Sequence, residues 1–308
     1  MTKILMLTTE FRLDNGNISM KNLSMSLDSP TYCTGIINKY NFRFLFADCS
    51  DPVAEVIKRH NLKYSSAVLV AKSMIGSFFL AGMVKEETIV NIQLEGMGAM
   101  QRVMAYSDRY GKMRGLSKFP QIDLFEEKGL GMGKGFFKVS RWGGPQKIQQ
   151  SITKMEDEIF ESSLMRHITE SDQQTSFLTI HVDEKNPASN SRGIIFQALP
   201  FTTEKQIEEF SGLLGEVDEE ASILLSGNVD SAIQKFSTIL KTDLSVLETG
   251  KTEFYCGCSI DKIKKIIVSL GREEAEEILE EQEQIEMICE FCGEVYRLDS
   301  EEVHLLFM

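Results

Sequence analysis

Hydrophobic and polar positions change period several times along this chain, and each change predicts an element. The stretch "FRFLFAD" (42–48) alternates at Phe42, Phe44 and Phe46, the period of a half-buried strand. With the residues from Thr31 onward it predicts a hairpin ending at Asp48. Asp51-Pro52 then reads as an N-cap followed by proline at the first helical position, opening a short helix to about His60. Ser65–Val84, "SSAVLVAKSMIGSFFLAGMV", is apolar almost throughout and predicts a long helix over 65–83. Its length would just span a bilayer, but Lys72 near its middle would cost about 2.5–3.5 kcal/mol on an insertion scale. A buried central helix is therefore expected rather than a membrane span.

Strand patterns follow at 88–96, 101–108, 112–119 and 135–142, with glycines between them supplying turns. In "ITKMEDEIFESSLMRHITE" (152–170), Ile152, Met155, Ile159, Met165 and Ile168 form an imperfect stripe that predicts a helix. Two more strands, 176–183 and 193–200, flank a turn-rich segment. Helices and strands do not alternate regularly, so the fold class expected is α+β, with a mixed sheet and packed helices. After Pro200 the pattern becomes two short amphipathic segments, marked by Ile207, Phe210, Leu213 and Leu214 and then by Ile233, Phe236, Ile239 and Leu240. Helices this short are marginal alone in water and need a surface to lie against. Residues 1–30 are polar after a short apolar start and read as an extension.

Composition narrows the classes. The chain has 308 residues with a formal charge of −13 and a pI of about 4.9. That balance repels nucleic acid and anionic membrane surfaces, so neither partner is expected. "MTKILMLTTEFR" is too short and charged too soon for a secretory leader, and a cytoplasmic setting is expected, where thiols stay reduced.

Four of the six cysteines form two tight pairs near the C-terminus: Cys256-x-Cys258, thirty intervening residues, then Cys289-x-x-Cys292. Two pairs of thiolates are what a tetrahedral four-cysteine zinc site requires. Gly293 can turn the backbone just after the last ligand, as in a zinc knuckle. The single residue inside the first pair makes a tighter chelate than usual. From the pattern alone a structural zinc, an iron–sulfur centre and two permanent disulfides stay open beside a regulatory zinc, although the compartment disfavours the disulfides. Between the pairs, Ile260, Ile263, Ile266, Ile267 and Leu270 mark one helix, and Ala275, Ile278, Leu279 and Ile285 a glutamate-rich continuation. Residues 251–308 carry six basic and fifteen acidic side chains, read mainly as a solvated face.

Other motifs carry less. "KGLGMGKGF" (128–136) fails the phosphate-loop spacing, with Gly135 where Ser or Thr would stand, and reads as a glycine-rich turn. His60, His167, His181 and His304 are scattered, and no nucleophile-plus-base constellation emerges, so no enzyme is expected. Met74, Met83, Met97, Met100, Met104 and Met113 would suit an adaptable binding surface, but for most of them core filling is the simpler reading. Cys33 and Cys49 are taken as half-buried thiols rather than redox partners.

The string "EFYCGCSIDKIKKIIVSLGREEAEEILEEQEQIEMICEFCGEVYRLDSEEV" resembles the C-terminal domain of the 33 kDa redox-regulated heat-shock chaperonin family, including the ending Cys292-Gly293-Glu294-Val295-Tyr296-Arg297. "VLVAKSMIGSFFLAG" and "VNIQLEGMGAMQRVMAYSDRYGKMRG" are similar to its central helix and following strands, and about 28–308 can be laid along it. Gln146 and Ile148 stand where the family usually has a tyrosine and a glycine. The resemblance implies an extension (1–27), an N-terminal client-binding and dimerisation domain (28–200), a metastable helical linker (201–250) and a zinc-binding redox-switch domain (251–308). It further implies an ATP-independent holdase with one zinc per chain on Cys256, Cys258, Cys289 and Cys292 when reduced. On oxidation Cys256 would join Cys258 and Cys289 would join Cys292, zinc would leave, the linker would unfold and bind unfolding clients, and the chain would dimerise. The alternative is a constitutive zinc-stabilised interaction module.

Overall fold

The computed structural model describes residues 29–84, 87–123, 131–143, 148–157, 159–215 and 221–308. The expectations for residues 1–27 and for Gln146 lie outside them.

β1 (Tyr32–Ile37) and β2 (Phe42–Asp48) form the predicted hairpin. α1 (Ser50–His60) starts one residue before the expected cap, so Asp51 lies in its first turn and Cys49 occupies the N-cap. The capping work falls to Asp48, whose carboxylate accepts from Ser50 N at 3.0 Å and Ser50 Oγ at 2.6 Å. α2 (Tyr64–Gly82) is the long apolar helix, and it is buried along nearly its whole length. By length and composition it could cross a membrane, but 89% of its apolar window is enclosed by protein. Lys72 sits at the margin, 2.9 Å from Glu161, and the buried Ser73 and Ser77 hydroxyls donate back to the helix carbonyls of Leu69 and Met74.

β3 (Thr88–Gly96), β4 (Arg102–Asp108), β5 (Lys112–Ser117) and β6 (Gly135–Gly143) follow as antiparallel neighbours. The next element corrects the reading of 152–170. Residues Ile148–Met155 are a strand, β7, paired to β6, and only α3 (Phe160–His167) is an α-helix, continued by one wide turn over Ile168–Asp172. The inward residues of β7 are Thr153 and Met155, whereas Ile148 and Ile152 face solvent. An open edge on β6 thus outweighs a helical spacing that mixed inward and outward side chains. β8 (Ser176–Val182) and β9 (Ser191–Ala198) complete this part.

α4 (Glu204–Leu214), α5 (Ala221–Leu224) and α6 (Val229–Leu240) come next, then β10 (Ser245–Gly250) and β11 (Glu253–Phe254). The C-terminal unit holds α7 (Ile260–Leu270), α8 (Arg272–Gln282), the hairpin β12 (Gln284–Ile288) and β13 (Val295–Asp299), and α9 (Ser300–Leu305).

Two sheets sandwich α2. The five-stranded sheet runs β10-β1-β2-β9-β8 and the six-stranded sheet β11-β5-β4-β3-β6-β7. The inner layer joins α2 to Leu45, Ala47 and Ile195 of one sheet and to Val90, Ile92, Val103 and Phe137 of the other. The outer face of the five-stranded sheet carries Phe42, Phe44, Phe46 and Phe196, and α4 to α6 close over it with Phe210, Leu224 and Phe236. This is the surface that the short amphipathic segments require. Cys33 belongs to that outer layer and Cys49 to the inner one, both fully buried rather than half-buried. The methionines divide as core filling suggests: Met74, Met100 and Met113 are buried, while Met97 is exposed. The glycine-rich segment is a turn from Gly131 onward, where Gly131 and Gly133 adopt positive φ and the backbone pairs with 97–100.

Candidate metal centre

The first cysteine pair is placed by backbone pairing. β11 runs parallel to β5, and Tyr255 N donates to Met113 O at 2.9 Å, so Cys256 leaves directly from the edge of the six-stranded sheet. Ser259 then caps α7 by accepting from Lys262 N, which fixes the chain just after Cys258. The second pair lies in the turn between β12 and β13. Cys289 N donates to Glu294 O and Gly293 N to Cys289 O, both at 2.9 Å, and Gly293 has φ +72°. A side chain is strained in that conformation, which is why glycine follows the last cysteine.

These two turns bring all four sulfurs within 4.8 Å of one another. The Sγ atoms of Cys256 and Cys289 are 3.6 Å apart and those of Cys258 and Cys292 are 3.3 Å apart. A tetrahedral ion with metal–sulfur bonds of about 2.3 Å places its sulfurs about 3.8 Å apart, so the four thiols could hold one metal ion. All are free thiols, well beyond disulfide bonding distance. These two approaches run across the two motifs.

Neighbouring side chains prepare the sulfurs. Burial works against the thiolate at Cys256, but hydrogen bonds from the Cys258 backbone N–H and from Arg114 Nη1 (3.4 Å) outweigh it and bring the pKa down to about 7. Tyr296 OH donates to Cys258 Sγ at 3.0 Å. The unit's own core is small, with Ile263, Ile267, Ala275, Ile285, Leu298 and Val303 buried. A core of that size is what metals and disulfides commonly reinforce.

The second knuckle is also docked on the sheet domain, by residues the sequence reading missed. Arg59 Nη1 donates to Cys292 O at 2.9 Å, and His60 Nε2 lies 3.0 Å from Phe291 O. Phe291 packs edge-on to Tyr106, with centroids 5.2 Å apart, beneath the Arg114 guanidinium. Nothing local in "DRYGKMRG" or "KRH" signals such a contact; an aromatic residue between two knuckle cysteines is the one hint. His167, His181 and His304 lie apart from the sulfurs: His167 is buried beside Phe137, His181 lies on β8 and His304 on α9.

The class of protein defined here is an α+β sandwich around one buried helix, carrying a small C-terminal unit with a four-thiol cluster. Residues 31–299 match the family described as "Hsp33 protein". The chain belongs to that family. A 33 kDa chaperonin of Thermodesulfovibrio yellowstonii is 27% identical over 279 residues, covering 88% of this chain and 96% of that protein. One from Geobacter sulfurreducens is 24% identical over 279 residues, covering 88% and 92%. The crystal structure of the 33 kDa chaperonin (heat shock protein 33 homolog) of Thermotoga maritima matches the fold with a TM-score of 0.78 at 22% identity, over 91% of this chain and 98% of that one.

Proposed function

We propose that this chain is a redox-regulated, ATP-independent molecular chaperone, a holdase that keeps unfolding proteins from aggregating under oxidative stress. The observation that carries this reading is the relation between the four-thiol cluster and the covered aromatic face. A phenylalanine-rich sheet surface is closed by short helices, and the chain that leaves those helices runs through β10 straight into Cys256.

Cys256, Cys258, Cys289 and Cys292 are the ligands proposed for one zinc per chain in the reduced state. When bound, zinc keeps the four sulfurs as thiolates and ties the two motifs together, a contribution on the order of 10 kcal/mol in small metal units. On oxidation Cys256 joins Cys258 and Cys289 joins Cys292. Each pair gives two electrons to one peroxide; with two protons taken up, one disulfide and two waters result. Each bridge closes within one motif, so neither holds the two halves of the unit together, and zinc is lost. Residues 251–308 then unfold, and β10, an exposed edge strand, loses its anchor. α4 and α6 have 11 and 12 residues, too short to persist off the sheet, so the linker 201–250 releases the face it covers. The exposed apolar surface of residues 28–200 and the linker binds unfolding clients, and the oxidised chain acts as a homodimer in the cytoplasm, without nucleic acid or membrane partners and without catalysis.

Light scattering from a thermally unfolding client tests this. The oxidised, warmed protein should suppress scattering and the reduced, zinc-loaded protein should not. A constitutive zinc-stabilised interaction module, the competing reading, requires equal behaviour of the two forms and zinc retained through oxidation. Cys289→Ser should give a loosened, active protein, whereas under the competing reading it simply loses binding.

A further inference from the structure

Strand alternation puts Arg43 on the inner side of its sheet, where it is half-buried. Phe42, Phe44 and Phe46 face the outer layer, so Arg43 shares the inner face with Leu45 and Ala47, near the end of α2. Its cross-strand partner is Gln197, whose Oε1 accepts from Arg43 Nε at 2.9 Å and also from Nη2; Nη2 further donates to Met83 O at 2.7 Å. Among the described residues no carboxylate pairs with this guanidinium, and burial alone shifts its pKa downward. A half-buried guanidinium whose described partners are all neutral keeps its charge available to an anion.

Arg141 enters from the facing sheet, on the inner side with Phe137 and Val139. One of its terminal nitrogens meets Asp172 Oδ2 at 2.7 Å, while its Nε is buried with no hydrogen-bond partner among the described residues. Both arginines line one cavity of about 520 Å³, a volume in the range of small-molecule sites. Asp172 is the one acid among the described lining residues, beside two arginines. The remaining wall is largely apolar, with Leu80, Met83, Ile168, Ile195 and Leu199.

We propose that this cavity binds a small organic anion, a carboxylate carried on an apolar body such as an aliphatic chain. The carboxylate takes Nη1 of Arg43, which is left over from the Gln197 and Met83 contacts, beside the Arg141 guanidinium, and the chain lies on the aliphatic wall. The site is separate from the cysteine cluster and does not depend on redox switching.

Calorimetric titration of the reduced, zinc-loaded full chain with octanoate, acetate and octanol tests it. Octanoate should bind at least about tenfold more tightly than either of the others, since one charge-assisted hydrogen bond is worth that much. Arg43→Gln should lose binding by a similar factor. Because Arg43 also holds Met83 O and Gln197, a second variant guards against a folding defect. Leu199→Glu keeps both arginines and places a carboxylate on the cavity wall, and it too should abolish octanoate binding. Octanoate binding no tighter than octanol overturns the proposal, as does unchanged affinity in either variant.

Discussion

The Arg114 guanidinium stands 4.4 Å from the centroid of the Phe291 ring and 4.9 Å from that of Tyr106, while its Nη1 donates to Cys256 Sγ. A single residue of β5 therefore touches both cysteine motifs, one through a sulfur and one through the aromatic side chain of the knuckle. The cysteine unit is held to the sheet domain by this stack together with the Arg59 and His60 contacts to the knuckle carbonyls.

Replacing Arg114 by Gln removes the cation–π contact, worth about 0.5–2 kcal/mol. In the metal-loaded protein Cys256 is already a thiolate, so the lost contact rather than the lost charge sets the sign. Zinc release on peroxide exposure, followed with a chromogenic chelator, should quicken by roughly 2-fold to 30-fold, the range those energies imply. An unchanged rate would show that the stack contributes nothing to retention of the unit.

Cys33 offers a reporter of the linker. It is fully buried in the layer closed by α4 to α6, and burial pushes its pKa up to about 12, so the thiol stays protonated and unreactive. Cys49 is equally buried, but in the inner layer around α2. If oxidation puts the four C-terminal cysteines into disulfides as proposed, only these two can be alkylated. Mass spectrometry after iodoacetamide should find neither labelled in the reduced protein, and Cys33 but not Cys49 labelled in the oxidised, warmed protein. A protected Cys33 in an active sample would mean that the linker stays on the sheet.

Much of this was legible in the sequence where the signal is local. The strand alternation of "FRFLFAD", the apolar run of α2 and the two cysteine pairs each carry their period or spacing within a few residues. What was not legible depends on partners far along the chain. Ile148–Met155 is a strand because β6 offers it an edge, and Asp48 rather than Asp51 serves α1 because the strand before the helix delivers it there. Likewise Arg43 looks like one more polar position in a strand until the facing sheet brings Arg141 to the same cavity. Short amphipathic helices announced that they needed a surface, but not that it would be the phenylalanine face of β2 and β9.

His167 makes stability depend on pH. It is fully buried, with Ser151 Oγ 3.3 Å from Nδ1, Asp172 Oδ1 3.9 Å from Nε2, and Arg141 and Phe137 nearby. Burial pushes its pKa down to about 4 from about 6.5, partly countered by Asp172. Above pH 6.5 the ring is neutral folded or unfolded and contributes nothing. Below it the unfolded chain takes up a proton that the folded chain refuses, so stability falls between about pH 6.5 and pH 4. The loss should reach about 2 kcal/mol by pH 5. Urea midpoints of the reduced protein at pH 7 and pH 5 should drop by more in the wild type than in His167→Gln; equal drops would place the acid sensitivity elsewhere.

Phe236 tests whether the linker alone can be released. It is fully buried in α6, packed edge-on to Phe196 with ring centroids 5.6 Å apart, and it belongs to the aromatic layer rather than to the cysteine unit's own core. Phe→Ala in a core costs about 3–5 kcal/mol, a large fraction of what can hold two short helices on a sheet. In reduced, zinc-loaded Phe236→Ala protein the helices should leave the sheet while the four thiols keep their metal. Apolar-dye binding and suppression of client aggregation should then appear without oxidation, at a zinc content of one per chain. Phe137→Ala, in the inner layer around α2, should instead lower the global unfolding midpoint and give no such activity. Dye binding in Phe236→Ala no higher than in the reduced wild type would show that the aromatic face is not what the linker guards.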